Sequence, residues 1–64
     1  MNERQINFAK KLLRRYRMKA SFQEAKDYAI EVLERLARRE KAHLKKVDYM
    51  GAAYYLKTLK FLIP

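Results

Sequence analysis

The sequence predicts an all-α protein, a three-helix bundle, and three observations support this fold class. The chain of 64 residues contains one Gly and one Pro, so it has almost no residues that favour turns. Apolar residues recur at helical spacing from end to end. Ser21, followed three positions later by Glu24, matches the start of a helix. A chain this short forms one domain at most, so residues 1–64 are predicted to be a single helical domain.

The first helix is predicted over residues 3–18. Its apolar residues follow an alternating spacing of three and four positions, which places them on one face of a helix. This stripe contains Ile6, Ala9, Leu13 and Tyr16, with Phe8 and Leu12 beside it. The remaining arc carries six cations: Arg4, Lys10, Lys11, Arg14, Arg15 and Arg17. We therefore expect one face of this helix to pack inward while a basic face points to solvent.

The second helix is predicted over residues 21–43, with Ser21 as N-cap and Glu24 completing a capping box. Its inward face carries Phe22, Ala25, Ala29, Val32, Leu33 and Leu36. The outer face is acidic in its first half, which complements the helix dipole. Cations follow in the second half and just beyond the helix: Arg35, Arg38, Arg39, Lys41, Lys45 and Lys46.

The third helix is predicted over residues 49–62, after a break at 45–47, with Asp48 as its N-cap. It is apolar nearly all round: Ala52, Leu56, Leu59 and Ile63 form one stripe, and Met50, Tyr54 and Phe61 project from the opposite side. A three-helix bundle buries one stripe per helix, so the second stripe needs another surface. We expect a second copy of the chain to supply it, which makes the protein a homodimer with a two-fold interface. Stacking of Tyr54 and Phe61 on nucleic-acid bases is the alternative.

The residues needed for common active sites are missing, so we predict no enzymatic activity, no cofactor and no metal. The chain has no Cys, and its single Gly excludes phosphate-binding and dinucleotide-binding loops. Glu40 and His43 have the Glu-x-x-His spacing of ferritin-like di-metal bundles, but such sites also need a carboxylate from each partner helix. We expect Glu40 to pair instead with a cation of helix one or of a second subunit. No apolar run spans a bilayer, so we predict a cytoplasmic protein without membrane contact.

The formal net charge of +9 identifies the expected partner. Residues 1–20 carry seven Lys or Arg against one Glu, and residues 35–48 carry six against two. Antiparallel packing of the first two helices would bring these two basic regions together, where like charges repel unless an anion binds.

A phosphate backbone is the natural anion for such a surface. We predict a nucleic-acid-binding protein with little sequence specificity, which prefers duplex DNA slightly over structured RNA. The predicted contacts are Arg4, Lys10, Lys11, Arg14, Arg15, Arg17, Arg38, Arg39, Lys41, Lys45 and Lys46. The alternative is a small regulatory or interaction subunit that docks onto a larger protein partner through its third helix. The predicted self-interface or partner interface consists of Met50, Tyr54 and Phe61.

Overall fold

A computed structural model describes residues 2–59 and confirms the all-α fold, with three helices packed against one another. Helix α1 comprises Glu3–Arg17, α2 comprises Phe22–Arg39, and α3 comprises His43–Thr58. Near the first turns of α1 and α3, Gln5 contacts Asp48, whereas Lys26 of α2 donates to the carbonyl of Leu59 at the end of α3. The helices therefore run up, down and up.

The first two helices begin at residues whose side chains cap them. Ser21 Oγ accepts a hydrogen bond from the Glu24 amide at 3.3 Å, which confirms the predicted N-cap. The Glu24 carboxylate accepts from the Ser21 hydroxyl rather than from its amide. Helix α1 has a complete capping box that the sequence analysis missed: the Gln5 amide donates to Asn2 Oδ1, and the Asn2 amide donates to Gln5 Oε1.

The break between α2 and α3 lies at residues 40–42, so its predicted position at 45–47 is wrong. Glu40 and Ala42 have extended backbones, with ψ of 128° and 121°. The Ala42 amide donates to Glu40 Oε1 at 3.1 Å, which holds the connection in place. Asp48 lies inside α3 and is not its N-cap, because α3 already begins at His43; its carboxylate contacts Gln5 and Arg4 of α1 instead.

The end of α3 also differs from the prediction. Leu59 is already extended, with ψ of 123°, so the helix ends at Thr58 rather than at residue 62. Phe61, which belongs to the predicted interface, lies outside the described residues, as do Lys60 and Ile63.

The core is built largely from small side chains. Six of the ten buried apolar residues in the described range are Ala, and the other four are Leu. Leu33 of α2 and Leu56 of α3 are the largest fully buried side chains there, and burying each of them stabilises the fold by roughly 1.5–3 kcal/mol. Alanines let helix backbones approach closely, so the bundle is narrow relative to its length, with extents of 32 × 20 × 16 Å.

One polar side chain is buried where α1 meets α3. Gln5 is 6% exposed, and its Nε2 donates to Asp48 Oδ1 at 3.0 Å. The second Asp48 oxygen pairs with Arg4 at 3.1 Å. Gly51 makes room for Gln5, because a Cβ at this position would lie 2.5 Å from Gln5 Cδ. This polar contact fixes how the first turn of α1 is positioned beside α3.

Within residues 2–59, none of the three helices combines the length and the apolar content needed to cross a membrane.

Candidate nucleic-acid interface

The outward face of α3 carries a row of exposed apolar side chains, which we call the α3 outer stripe: Leu44, Val47, Met50 and Tyr54. Their exposed fractions are 77%, 44%, 55% and 63%. The spacing of three, three and four positions places them on one side of the helix, over a length of about 15 Å. The buried side chains Ala52, Ala53 and Leu56 lie on the other side. Met50 and Tyr54 thus point away from the core, as the sequence analysis expected.

A groove runs along each side of the α3 outer stripe, and Met50 and Tyr54 border both of them. The first lies against the start of α1, where Asn2, Gln5 and Gly51 contribute to its lining. The second, which we call the cationic groove, lies between α2 and α3. Its charged residues are Glu34, Arg38, Lys46 and Lys57. An apolar ridge therefore separates a nearly neutral groove from a basic one.

Two of the three cations in the cationic groove have no acidic partner within residues 2–59. Lys57 Nζ lies 2.7 Å from Glu34 Oε2, so this pair is neutral overall. Arg38 and Lys46 are exposed and form no ion pair with any other described residue. These two side chains give the groove a positive potential that favours an anionic ligand.

The outward arc of α1 is a second basic surface. Lys10, Lys11, Arg14 and Arg15 are all exposed, and none of them pairs with an acid in the described part of the chain. The acids in the first half of α2 form local contacts instead. Glu24 binds the Ser21 hydroxyl, Asp27 accepts from Gln23, and Glu31 pairs with Arg35. The charge of the α1 arc is therefore available to an external ligand.

Arg4 and Arg17, also predicted to contact nucleic acid, have structural contacts of their own. Arg4 pairs with Asp48 and so joins the contact between α1 and α3. Arg17 is half-buried, its Nε is enclosed without a hydrogen-bond partner, and its guanidinium lies 6.0 Å from the ring centre of Phe22. Both are less free to adapt to a ligand than the four cations of the α1 arc. The other predicted cations, Arg39, Lys41 and Lys45, are exposed.

Glu40 and His43 do not form the pair that their spacing suggested. Glu40 is the C-cap that follows α2 and accepts from the Ala42 amide rather than pairing with a cation of helix one, and His43 is the exposed first residue of α3. Nowhere in residues 2–59 do three His, Cys, Asp or Glu side chains cluster as a metal site would require.

Two members of the α3 outer stripe, Leu44 and Val47, were not predicted to be in helix three. Leu44 fell between the predicted end of helix two at residue 43 and the predicted break, and Val47 fell within that break, whereas both lie in α3. Their spacing relative to Met50 and Tyr54 is helical, and this pattern alone could have identified them. Comparison of the chain with protein families, with curated proteins and with solved structures gave no match.

Proposed function

We propose that this protein binds nucleic acid, chiefly through contacts between its exposed cations and phosphate groups. The observation that carries the proposal is the α1 arc, where four neighbouring Lys and Arg side chains are exposed without acidic partners among the described residues. Clustered cations that lack internal partners repel one another, and a polyanion relieves that repulsion. Each phosphate that they neutralise also releases condensed counterions, which favours binding in dilute salt.

The shape and chemistry of the surface support a preference between the types of nucleic acid. The cations stand on rigid helices, which suit a regular backbone, so we favour duplex DNA slightly over structured RNA. Contacts made by Lys and Arg to phosphates carry no sequence information, so the specificity for base sequence should be low. We place this activity in the cytoplasm and assign the protein no catalytic step.

The test removes the charge of the α1 arc while keeping its length and helical propensity. The variant combines Lys10→Gln, Lys11→Gln, Arg14→Gln and Arg15→Gln, and its binding to duplex DNA and to a folded RNA is measured across a salt series. The slope of log affinity against log salt should fall by about 0.9 for each duplex phosphate that the variant no longer neutralises, and affinity should fall at least tenfold at low salt. Unchanged affinity and slope would contradict the proposal.

A matched pair of double variants separates position from net charge. Lys10→Gln with Lys11→Gln removes two charges from the α1 arc, and Lys19→Gln with Arg35→Gln removes two exposed charges elsewhere. We expect the first pair to reduce affinity several-fold more than the second. Equal losses would mean that only total charge matters, which would contradict a binding surface on α1.

We also propose that the protein forms a homodimer through α3. The support is the α3 outer stripe, because exposed apolar side chains in a continuous row are typical of an interface. The second candidate function rests on the same row: a larger protein could bind there, with the basic surface facing acidic residues of that partner. A protein that remains a monomer at high concentration and binds neither DNA nor RNA would favour this second candidate.

A further inference from the structure

We infer that a second copy of the chain creates a further phosphate-binding surface in addition to the α1 arc, with the two α3 outer stripes packed antiparallel about a two-fold axis. This packing joins two cationic grooves into one surface, so that dimer formation and nucleic-acid binding strengthen each other. The inference rests on the proposed function, and it adds to that function a binding site that one chain only half provides.

The α3 outer stripe is complementary to itself in an antiparallel arrangement. With the two-fold axis near the middle of the stripe, Leu44 of one copy lies opposite Tyr54 of the other, and Val47 lies opposite Gly51. Gly51 has no side chain, and it lines the groove beside Val47 and Met50. The Gln5 carboxamide fills the space where a Gly51 Cβ would lie, so it is the open groove in front of Gly51 that would receive a branched side chain from a second copy, as in knobs-into-holes packing. The antiparallel direction also places the N-terminal end of each helix dipole beside the C-terminal end of the other, which is favourable.

A second argument is that a chain this small buries little apolar surface of its own, so an interface with a second copy adds to its stability. A stable interface covers about 800 Å² on each partner, which is about a sixth of the 5082 Å² that one chain exposes. Four of the six large apolar side chains that are exposed in residues 2–59 lie in the α3 outer stripe. Covering this row adds buried apolar area to a core in which alanines predominate.

The symmetry determines where the charges of the second copy lie. A two-fold axis perpendicular to two antiparallel helices keeps the same flank of each helix on the same side of the pair. The α2 side of α3 carries the cationic groove, with Arg38 and Lys46. Both grooves therefore face the same side of the dimer, and four unpaired cations form one row. A parallel pair would place the two grooves on opposite sides.

This arrangement makes the dimer sensitive to anions. Without a ligand, the Arg38 and Lys46 side chains of two copies repel across the interface, and the net charge of each chain is +9. A phosphate backbone that runs along the joined grooves removes the repulsion. By thermodynamic linkage, the factor by which nucleic acid strengthens the dimer equals the factor by which dimer formation strengthens nucleic-acid binding.

The first test breaks the dimer without changing the charge. The double variant combines Met50→Gln with Tyr54→Gln, and both side chains are exposed on the stripe. The control is the single variant Met18→Gln, because Met18 is 84% exposed in the turn between α1 and α2, away from the stripe. Sedimentation gives the mass of each protein alone and with a short DNA duplex. We expect the wild type and the control to bind as pairs, and the double variant to stay monomeric, fold normally and bind at least tenfold more weakly with a shallower salt slope.

Other results of this test would overturn the inference. A monomeric double variant that keeps wild-type affinity and slope would show that one chain holds the whole site, although the proposed function would stand. If one wild-type chain binds per site and the double variant binds poorly, the stripe contacts the nucleic acid directly, as in base stacking on Tyr54. A wild type that binds neither polymer at low salt would overturn the proposed function itself.

The second test changes the cations and leaves the stripe intact. Arg38→Gln with Lys46→Gln should weaken binding to DNA at least tenfold, while the dimer formed without DNA becomes severalfold tighter because the repulsion is removed. High salt should tighten the wild-type dimer in the same direction, by screening the same charges. If the double variant leaves the DNA-free dimer unchanged or weaker, or if it keeps full DNA affinity, the joined-groove geometry is wrong.

Discussion

Replacing Gly51 with Ala should destabilise the protein, although Ala is normally the better residue inside a helix. The new methyl group would lie 2.5 Å from Gln5 Cδ and 2.9 Å from Gln5 Nε2, closer than van der Waals contact allows. Gln5 is 6% exposed and sits between the two helices, so its side chain has to leave its position. It would then lose its hydrogen bonds to Asp48 and to the Asn2 amide.

The size of the effect follows from opposing terms. A hydrogen bond to a charged group contributes about 1.5–3 kcal/mol and a neutral one about 1 kcal/mol, so losing both costs about 2.5–4 kcal/mol if neither is replaced by water. Solvent reaches this edge of the interface and replaces part of that loss, and the higher helix propensity of Ala recovers about 1 kcal/mol. We expect a net loss of about 1–2 kcal/mol in the free energy of unfolding. In a domain of this size, that lowers the Tm by roughly 7–15 °C.

Urea unfolding followed by circular dichroism measures this difference, and a double-mutant cycle with Gln5→Ala identifies its cause. Once Gln5 is shortened, the methyl group added at position 51 meets no carboxamide, so Gly51→Ala should stabilise the Gln5→Ala protein by about 0.5–1 kcal/mol through helix propensity. The same substitution thus changes sign between the two backgrounds. If Gly51→Ala stabilises both proteins equally, Gln5 does not occupy the space beside Gly51 and the reasoning fails.

Two further predictions concern helix α3 and the core. Ala42 is the N-cap of α3 and offers no side-chain hydrogen bond, so Ala42→Ser should raise the free energy of unfolding by about 1 kcal/mol, and Ala42→Gly should raise it by less. A decrease with Ser would mean that the helix begins elsewhere. Leu33 is fully buried between the helices, so Leu33→Ala should cost about 2–5 kcal/mol, enough to leave much of such a small domain unfolded at 37 °C. Thermal unfolding measures this loss, and a cost below about 1 kcal/mol would place Leu33 outside the core.

The first two helices could be predicted from the sequence because their periodicity and their caps agree. Ala9 and Leu13 of α1 and Ala29 and Leu33 of α2 all recur at the spacing of one helix face, and all are buried. The Ser21 cap marks the start of α2 independently of that pattern. Where two such features coincide, local preference and tertiary packing favour the same structure.

The junction between α2 and α3 could not be placed in the same way. Residues 40–42 contain no Gly and no Pro, and the N-cap of α3 is an Ala without capping ability. Asp48 is a better N-cap by type, but tertiary contacts with Gln5 and Arg4 determine its position. Such a contact joins residues 43 positions apart, and local patterns do not reveal it.

The composition predicted a basic surface, but it did not predict which cations form structural contacts and which remain available to a ligand. Counting charges identified the cations of α1 and of the end of α2. The count could not separate Arg17, whose guanidinium lies over Phe22, or Arg4, which pairs with Asp48, from cations that remain available. That distinction depends on which acids and rings come close in three dimensions. By contrast, the capping box of α1 is a local feature, because Asn2 and Gln5 stand three positions apart and have residue types that fit this motif.

The alanine-rich interior has a consequence for how this sequence can vary. Where Ala25, Ala29, Ala52 and Ala53 meet, even one added methylene would force the helices apart, so substitutions by larger residues should be tolerated poorly. The outward faces carry no such restriction. Substitutions that accumulate in evolution, or that are designed to bind another ligand, therefore have to occur almost entirely at solvent-facing positions, while the buried residues stay the same.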